Sequence, residues 1–202
     1  MAEHDHEHDH DHEHDHDDER EQDNDDQQLE REARRLVALS RIRQYGDGVL
    51  RMKAREVDSF GDDLVRLVER MTALMHEANG VGLAATQVGV LQRLFVFVHE
   101  GADHVLVNPV ISKFSSDTEI DDEGCLSLRD VLVPVERAKA VTIEGLAASG
   151  ERVELALEAP SARIVQHELD HLDGVLIIDR TDEGSRRAAL GTLRPQPVLG
   201  AR

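Results

Sequence analysis

The chain has 202 residues, of which 40% are hydrophobic and only 2% are aromatic, and its formal net charge is -19. Residues 1–28 hold 14 acidic residues and one arginine, so they contribute -13 and leave -6 for the other 174 residues. An acidic body argues against direct nucleic-acid binding, which needs clustered lysine and arginine. No apolar run in the sequence approaches the roughly 20 residues of a membrane-spanning helix.

The first 28 residues are of low complexity, with seven histidines that alternate with acids, followed by further acids and glutamines. Because such a segment buries too little apolar surface to offset its ordering entropy, we predict a disordered tail over residues 1–35. It lacks the basic and apolar regions of a signal peptide. The alternative is a metal-gathering tail, since an extended chain would place its histidines along one side, where they bind transition metals.

Periodic apolar residues predict two main helices in the rest of the chain. In residues 59–79 they recur at steps of three and four, and Asn79-Gly80 ends the helix. A second helix is predicted over residues 162–172, stopped by Asp173-Gly174. A shorter helical pattern follows Thr181 and is broken after Leu190 by glycine and proline.

Short apolar segments between these helices predict strands. They cover residues 94–98 and 105–107, a hairpin of 141–143 with 153–155, and a strand or extended segment at 175–178. Helices and hairpins do not alternate as they do in a doubly wound sheet, so the predicted class is α+β. We place the folded domain at residues 36–190 and a loose C-terminal tail at residues 191–202.

The second predicted helix carries His167-Glu168-Leu169-Asp170-His171. Residues four apart share a helix face, so both imidazoles can reach one metal ion, and Glu168 can handle protons in a hydrolytic reaction. The same pattern also arises by chance in acidic chains that contain histidine. On this motif alone, a metal site and incidental surface histidines both stay open.

A catalytic metal site typically has three protein ligands and one open position. The zincin peptidase pattern would place the third ligand downstream, but no histidine follows His171, and Glu183 lies beyond the next predicted strand. The upstream candidate is Cys125, the single cysteine of the chain, which cannot form an internal disulfide. A lone cysteine is otherwise a small buried apolar side chain.

A glycine-rich stretch, GVGLAATQ, occupies residues 80–87, directly after the first predicted helix. Two glycines allow the backbone to run close to a bound molecule, and Gln87 supplies an amide donor. Taken alone, the stretch is typical of an ordinary turn.

Together, residues 80–87, 123–127 (EGCLS) and 166–172 (QHELDHL) resemble the three motifs of the peptide deformylase family in the same order and with similar spacing. The likeness covers roughly residues 42–190. It implies an α+β domain with short antiparallel strands around a central helix that carries the histidine motif. It also implies a metal-dependent hydrolase that removes the formyl group from the N-terminal formyl-methionine of new polypeptides and releases formate.

The resemblance implies roles residue by residue. The implied metal ligands are Cys125, His167 and His171. The implied catalytic groups are the general acid/base Glu168 and two oxyanion donors, Gln87 and the backbone N–H of Leu126. The implied substrate-binding residues are Val81, Gly82, Glu123 and Ile164. Two further positions match supporting residues, Arg137 and Asp170.

The implied cofactor is one ferrous ion, for which zinc, nickel or cobalt can substitute, because a Cys/His/His set suits several ions. The implied partners are N-formyl-methionyl nascent peptides and the ribosome, for which the pair Arg186-Arg187 is the local support. No direct nucleic-acid site and no membrane association are expected, and the expected compartment is a reducing cytoplasm.

The chain departs from the family at Leu128-Arg129-Asp130, where many members have an apolar residue, proline and glycine near the substrate entrance. This departure leaves open a deformylase-like paralogue with an altered substrate. The histidine-rich tail leaves open a metal-storage protein. A zincin-like peptidase is the third alternative.

Overall fold

A computed structural model of the chain describes residues 14–194, with side chains from residue 27 onwards. The outer parts of both predicted tails, residues 1–13 and 195–202, lie outside the described residues. The four helices of the described part are α1 (His14–Ser40), α2 (Asp62–Glu77), α3 (Ser161–Leu172) and α4 (Glu183–Thr192). None of them is long and apolar enough to cross a membrane.

Within residues 14–194, seven strands form two antiparallel sheets. They are β1 (Gly82–Ala84), β2 (Leu94–His99), β3 (Ala102–Phe114), β4 (Thr118–Cys125), β5 (Leu128–Ala138), β6 (Ala140–Leu146) and β7 (Arg152–Glu158). The larger sheet has the order β1-β2-β3-β6-β7, and β4 pairs with β5 in a separate two-stranded sheet. The predicted α+β class is therefore confirmed, with antiparallel strands around α3.

Strand β2 of the larger sheet is buried on both faces, which explains its continuous apolar run. Alternate residues of a strand point to opposite faces. Leu94 and Val96 pack on the side that holds α2, whereas Phe95 and Phe97 pack on the side that holds α3. The sheet thus separates two apolar cores and holds α3 against one face.

The predicted helices and the hairpin of β6 and β7 are confirmed, but three other predictions need correction. Residues 14–35, assigned to a disordered tail, are helical in α1. Near its end, Ala38 and Leu39 are buried in the core, and Arg34 pairs with Glu30 one turn away at 2.8 Å. Burial at the end of α1 and the pairing of its charges favour a helix that the composition alone does not indicate.

The strand predicted to end at Asn108 continues to Phe114, because a bulge between Val107 and Val110 absorbs the interruption. The Asn108 side chain bonds both backbone groups of Val57 at the bulge. The segment 175–178, predicted as extended, contains instead the start of a short 3-10 helix, Ile177–Asp179, with its isoleucines buried. A short apolar run signals burial but does not define backbone type.

Candidate metal centre and active site

The predicted ligands lie together where α3 meets the end of β4. A register shift between Gly124 and Cys125 moves the pairing partner from Leu132 to Leu128 at the end of β4, and the Cys125 thiol lies against His171 of α3. Within α3, His167 and His171 are one turn apart, with ring centroids separated by 5.0 Å. Ala162 and Val165 pack on the sheet and fix the rotation of the helix.

The donor atoms of Cys125, His167 and His171 all lie within 4.8 Å of one another. The Sγ atom of Cys125 is 3.2 Å from Nε2 of His171. One thiolate and two imidazoles so close together form a donor set for a borderline ion such as iron, zinc, nickel or cobalt. Burial keeps the pKa of His171 well below its usual value, which favours the neutral imidazole that a metal needs.

A buried carboxylate orients the first histidine. Oε2 of Glu123 lies 3.0 Å from Nδ1 of His167, which leaves Nε2 for the ligand cluster. Burial would raise the pKa of Glu123, but hydrogen bonds from His167 and Arg137 outweigh it and hold this pKa at about 2. Glu123 therefore stays ionised and supports His167 from behind.

The same carboxylate belongs to a buried ion network. Arg137 donates two hydrogen bonds to Glu123 at 2.9 and 3.0 Å and a third to Asp170 at 2.6 Å. Arg163 donates to Glu123 at 2.8 Å, and Arg180 donates to Asp170. Alternating charges satisfy one another in this network, which joins β4, β5 and α3 directly behind the ligands.

Glu168 lies beside the ligand cluster and has little contact with solvent. Its side chain is buried, and its Oε2 atom has no hydrogen-bond partner among the described residues. Burial raises the pKa of Glu168 to about 7, with Glu123 adding to the increase and His167 opposing it. A carboxyl group poised near neutrality can both accept and deliver a proton.

Glycine at position 82 makes room for this carboxylate. A Cβ at Gly82 would lie 2.9 Å from Cδ of Glu168, so any other residue would displace the Glu168 carboxylate. Because β1 is the edge strand of its sheet, the outer backbone of Gly82 is also free to pair with an added peptide strand.

Gln87 is held in a short 3-10 helix, Ala85–Val88, and is almost fully buried. Its Oε1 accepts a hydrogen bond from the Ala84 backbone N–H at 2.8 Å, so its Nε2 faces the site. Nε2 donates to Ser127 Oγ at 3.1 Å and lies 3.7 Å from Cys125 Sγ. Leu126, between Cys125 and Ser127 in the sequence, lines the same cavity.

An open cavity of about 800 Å³ lies over the cluster. All the predicted site residues line it except His171, which lies behind the floor and is 1% exposed. Glu123 borders the cavity, but both its carboxylate oxygens already accept hydrogen bonds from the protein.

Sequence reasoning missed three contributors to this site. Ser127 and Arg163 contact predicted residues, but single polar residues carry no signal of their own. The outer wall of the cavity is formed in part by α1, with Glu32, Arg35 and Leu36. This contribution depends on how α1 packs on the core and not on a local motif.

An α+β domain that holds a Cys/His/His cluster and a buried glutamate at the floor of an open cavity has the features of a hydrolytic metalloenzyme. The sequence profile of the family described as polypeptide deformylase matches residues 39–187. The chain belongs to the polypeptide deformylase family.

Related sequences and solved structures support the same family assignment. A peptide deformylase of Thermotoga petrophila is 45% identical over 146 residues, which cover 72% of this chain and 89% of that protein. Peptide deformylase 1 of Corynebacterium glutamicum is 42% identical over 162 residues, or 78% and 96% of the two chains. The crystal structure of the Thermotoga maritima peptide deformylase superposes with a TM-score of 0.69 at 45% identity, covering 70% of this chain and 97% of that one.

Proposed function

We propose that Cys125, His167 and His171 hold the catalytic ion of a peptide deformylase and that Glu168 moves its protons. The family is metal-dependent and removes the formyl group from N-terminal formyl-methionine of nascent polypeptides. The observation that carries the assignment of roles is the buried carboxylate of Glu168, whose Oε2 atom has no hydrogen-bond partner among the described residues, beside a compact Cys/His/His cluster.

We propose ferrous iron as the ion, with zinc, nickel or cobalt as substitutes, because the donor set suits all four. When bound, the ion supplies Lewis acidity toward the reacting water and the formyl carbonyl. Glu123 and Arg137 hold His167 in the orientation that ligation needs.

Glu168 performs the proton transfers. It takes a proton from the attacking water as the C–O bond forms, and it gives that proton to the amine nitrogen as the C–N bond breaks. Formate and a free N-terminal amine are the products. The pKa of about 7 for Glu168 suits both steps near neutral pH.

Two donors stabilise the negative charge that develops on the formyl oxygen. They are the Gln87 amide and the Leu126 backbone N–H, which flank Cys125. The loss of one such donor typically slows a reaction by about a hundredfold or more. The hydrogen bond from the Ala84 backbone N–H to Gln87 Oε1 fixes the orientation of the amide before substrate binds.

Substrate binding uses the edge of β1. The peptide backbone pairs beside Gly82, and the methionine side chain packs between Val81 and Ile164, which line the cavity. Besides its oxygen and the amide nitrogen, the formyl carbon bears only hydrogen, so it can approach the buried Glu168 more closely than the carbon of a bulkier acyl group can.

Newly made chains are the substrate, so we propose that the protein works in the cytoplasm near the ribosome. The basic pair suggested for ribosome contact is ion-paired within the chain, Arg186 to Asp179 and Arg187 to Glu183. The family assignment and the relatives described above give no support to a metal-storage protein, a zincin-like peptidase or a paralogue with an altered substrate.

The test is formate release from a formyl-methionyl tripeptide by anaerobic, iron-loaded protein. Glu168→Gln is expected to lower kcat by at least about a hundredfold while the ion stays bound, because a general acid/base contributes that much. Glu154→Gln, on exposed β7, is the control and should leave the rate unchanged. Absence of formate release by fully metallated native protein would refute the function.

A further inference from the structure

The first helix extends beyond the part of the chain that matches the family, and it reaches the cavity. The family match begins at residue 39, yet Glu32, Arg35 and Leu36 line the same cavity as the ligand cluster. Residues that precede the family match therefore form part of the cavity wall.

The wall is fixed in place by packing. Glu32, Leu36 and Leu39 follow steps of four and three, so they share one face of α1, and that face is turned to the cavity. Leu39 and its neighbour Ala38 are buried in the core, which anchors the end of the helix. Arg35 pairs with Glu32 at 3.1 Å on the same face.

Three exposed apolar side chains line the cavity, and we take them to mark its mouth. Leu36 of α1 is 52% exposed, Val81 before β1 is 57% exposed, and Leu132 of β5 is 70% exposed. Leu132 pairs with Gly124, the residue before Cys125, and a Cβ at Gly124 would lie 3.2 Å from its Cδ2 atom. Large apolar side chains left exposed together typically mark a binding surface.

Charge does not dominate this mouth. The Arg35 guanidinium is paired with Glu32, and the other charged residues at the mouth carry both signs: Asp122, Arg129 and Asp130. A mouth with charges of both signs and exposed apolar side chains favours an apolar ligand over an acidic or a basic one.

We propose that Leu36 and Leu132, the two exposed side chains other than Val81 of the methionine pocket, form an apolar clamp for the residues that follow formyl-methionine in the substrate. This inference rests on the proposed function. With the formyl group at Glu168 and the methionine side chain in the inner cavity, the rest of the polypeptide must leave through the mouth. Its side chains then meet α1 on one side and β5 on the other, and leucine-like side chains bind best.

The experiment compares two substrates, formyl-Met-Leu-Leu-amide and formyl-Met-Gly-Gly-amide. The native enzyme is expected to prefer the leucine peptide. Leu36→Ala should lower kcat/KM for that peptide by about threefold to tenfold, mainly through KM, because part of one leucine's buried area is lost. For the glycine peptide the change should stay within about twofold.

Val37→Ala is the matched control. Val37 is the next residue of α1 and is 54% exposed, but it does not line the cavity, so neither substrate should change. Leu132→Ala, on β5 and so outside α1, should repeat the selective loss and guards against a helix defect in Leu36→Ala.

The outcomes separate this inference from the proposed function. Equal rates on both peptides in native enzyme, equal losses on both in Leu36→Ala, or no loss at all would overturn the clamp and leave the deformylase activity standing. No formate from either peptide would overturn the proposed function itself.

Discussion

Two sets of ion pairs in this molecule use the same residue types in opposite surroundings. Behind the ligand cluster, Arg137 and Glu123 are 6% and 5% exposed and bind each other through two hydrogen bonds. On α1, Arg34 and Glu30 form a pair of similar length, 2.8 Å, but they are 71% and 69% exposed. Distance alone does not distinguish the two sets.

The difference lies in what happens when one partner is removed. In the buried set, the remaining charge has lost water and cannot recover it, so it becomes a large penalty. In the exposed set, water replaces the lost partner at once. The buried set therefore gives the ligands a single orientation, whereas the exposed set contributes mainly to solubility and to a small part of helix stability.

The largest effect on stability is expected from Arg137→Met, which removes the arginine shared by the buried ion pairs. Glu123 and Asp170 would both lose their shared cation while still buried, so unfolding free energy should fall by about 3–5 kcal/mol. Urea denaturation measures this loss. Arg152→Met, an exposed arginine on β7, is the control and should change stability by less than about 0.5 kcal/mol.

A loss below about 1 kcal/mol in Arg137→Met would mean that water enters the network or that the two acids become protonated at little cost. The buried set would then resemble the exposed one.

The next effect concerns metal affinity. Glu123→Gln keeps the shape of the side chain but removes the charge that holds His167, so affinity for zinc or cobalt should fall by about 10- to 100-fold. Competition with a chelator measures the affinity of folded protein. Asp122→Asn changes the adjacent, exposed acid on β4 and should leave affinity unchanged, whereas equal losses in both variants would point to a general charge effect.

Much of the site could be predicted because it is encoded locally. The spacing of His167 and His171 places them on one helix face, and Cys125 is the only thiol in the chain. The support of Glu123 by Arg137 could not be predicted as geometry, because it depends on pairing between β4 and β5. The sequence TEIDDEG of β4 is too polar to show the alternation that indicates a strand.

The fold shows the same division. Strongly periodic α2 and α3 and the hairpin of β6 and β7 follow from sequence, because apolar spacing and turns specify them. The cavity wall formed by α1 could not be predicted from sequence, because Leu36 and Val37 are chemically alike and only tertiary packing decides which one faces the cavity.

The ion pairs of Asp179 with Arg51 and Arg186 lie between the buried and the exposed sets, because the Asp179 side chain is 23% exposed. Burial opposes ionisation, but hydrogen bonds from Arg51 and from the Leu176 backbone N–H prevail and lower the pKa of Asp179 below its usual 3.8. A lowered folded-state pKa stabilises the protein above the unfolded-state pKa, and this contribution is lost as pH falls through the folded-state value.

Asp179→Asn should therefore lower unfolding free energy at pH 7 by about 0.5–1 kcal/mol, a range that allows for solvent screening. The difference from native protein should shrink as pH falls below about 4, where the native aspartate also loses its charge. Urea denaturation across that pH range measures it, with Asp121→Asn on exposed β4 as control. A difference that is constant with pH would show that packing, and not charge, is what Asn disturbs.

The smallest effect is expected on α1, where Arg34→Ala should change unfolding free energy by less than about 0.5 kcal/mol. Both side chains of the Arg34–Glu30 pair are mostly in water, and alanine itself favours a helix, which offsets part of the lost attraction. Urea denaturation at low and high salt measures the change, and added salt should reduce it further because it screens exposed charges. A loss above about 1 kcal/mol would mean that α1 depends on its surface charges. In that case the burial of Ala38 and Leu39 would not be sufficient to hold the cavity wall in place. The exposed ion pairs would then contribute to stability as the buried ones do, and the contrast between the two sets would be wrong.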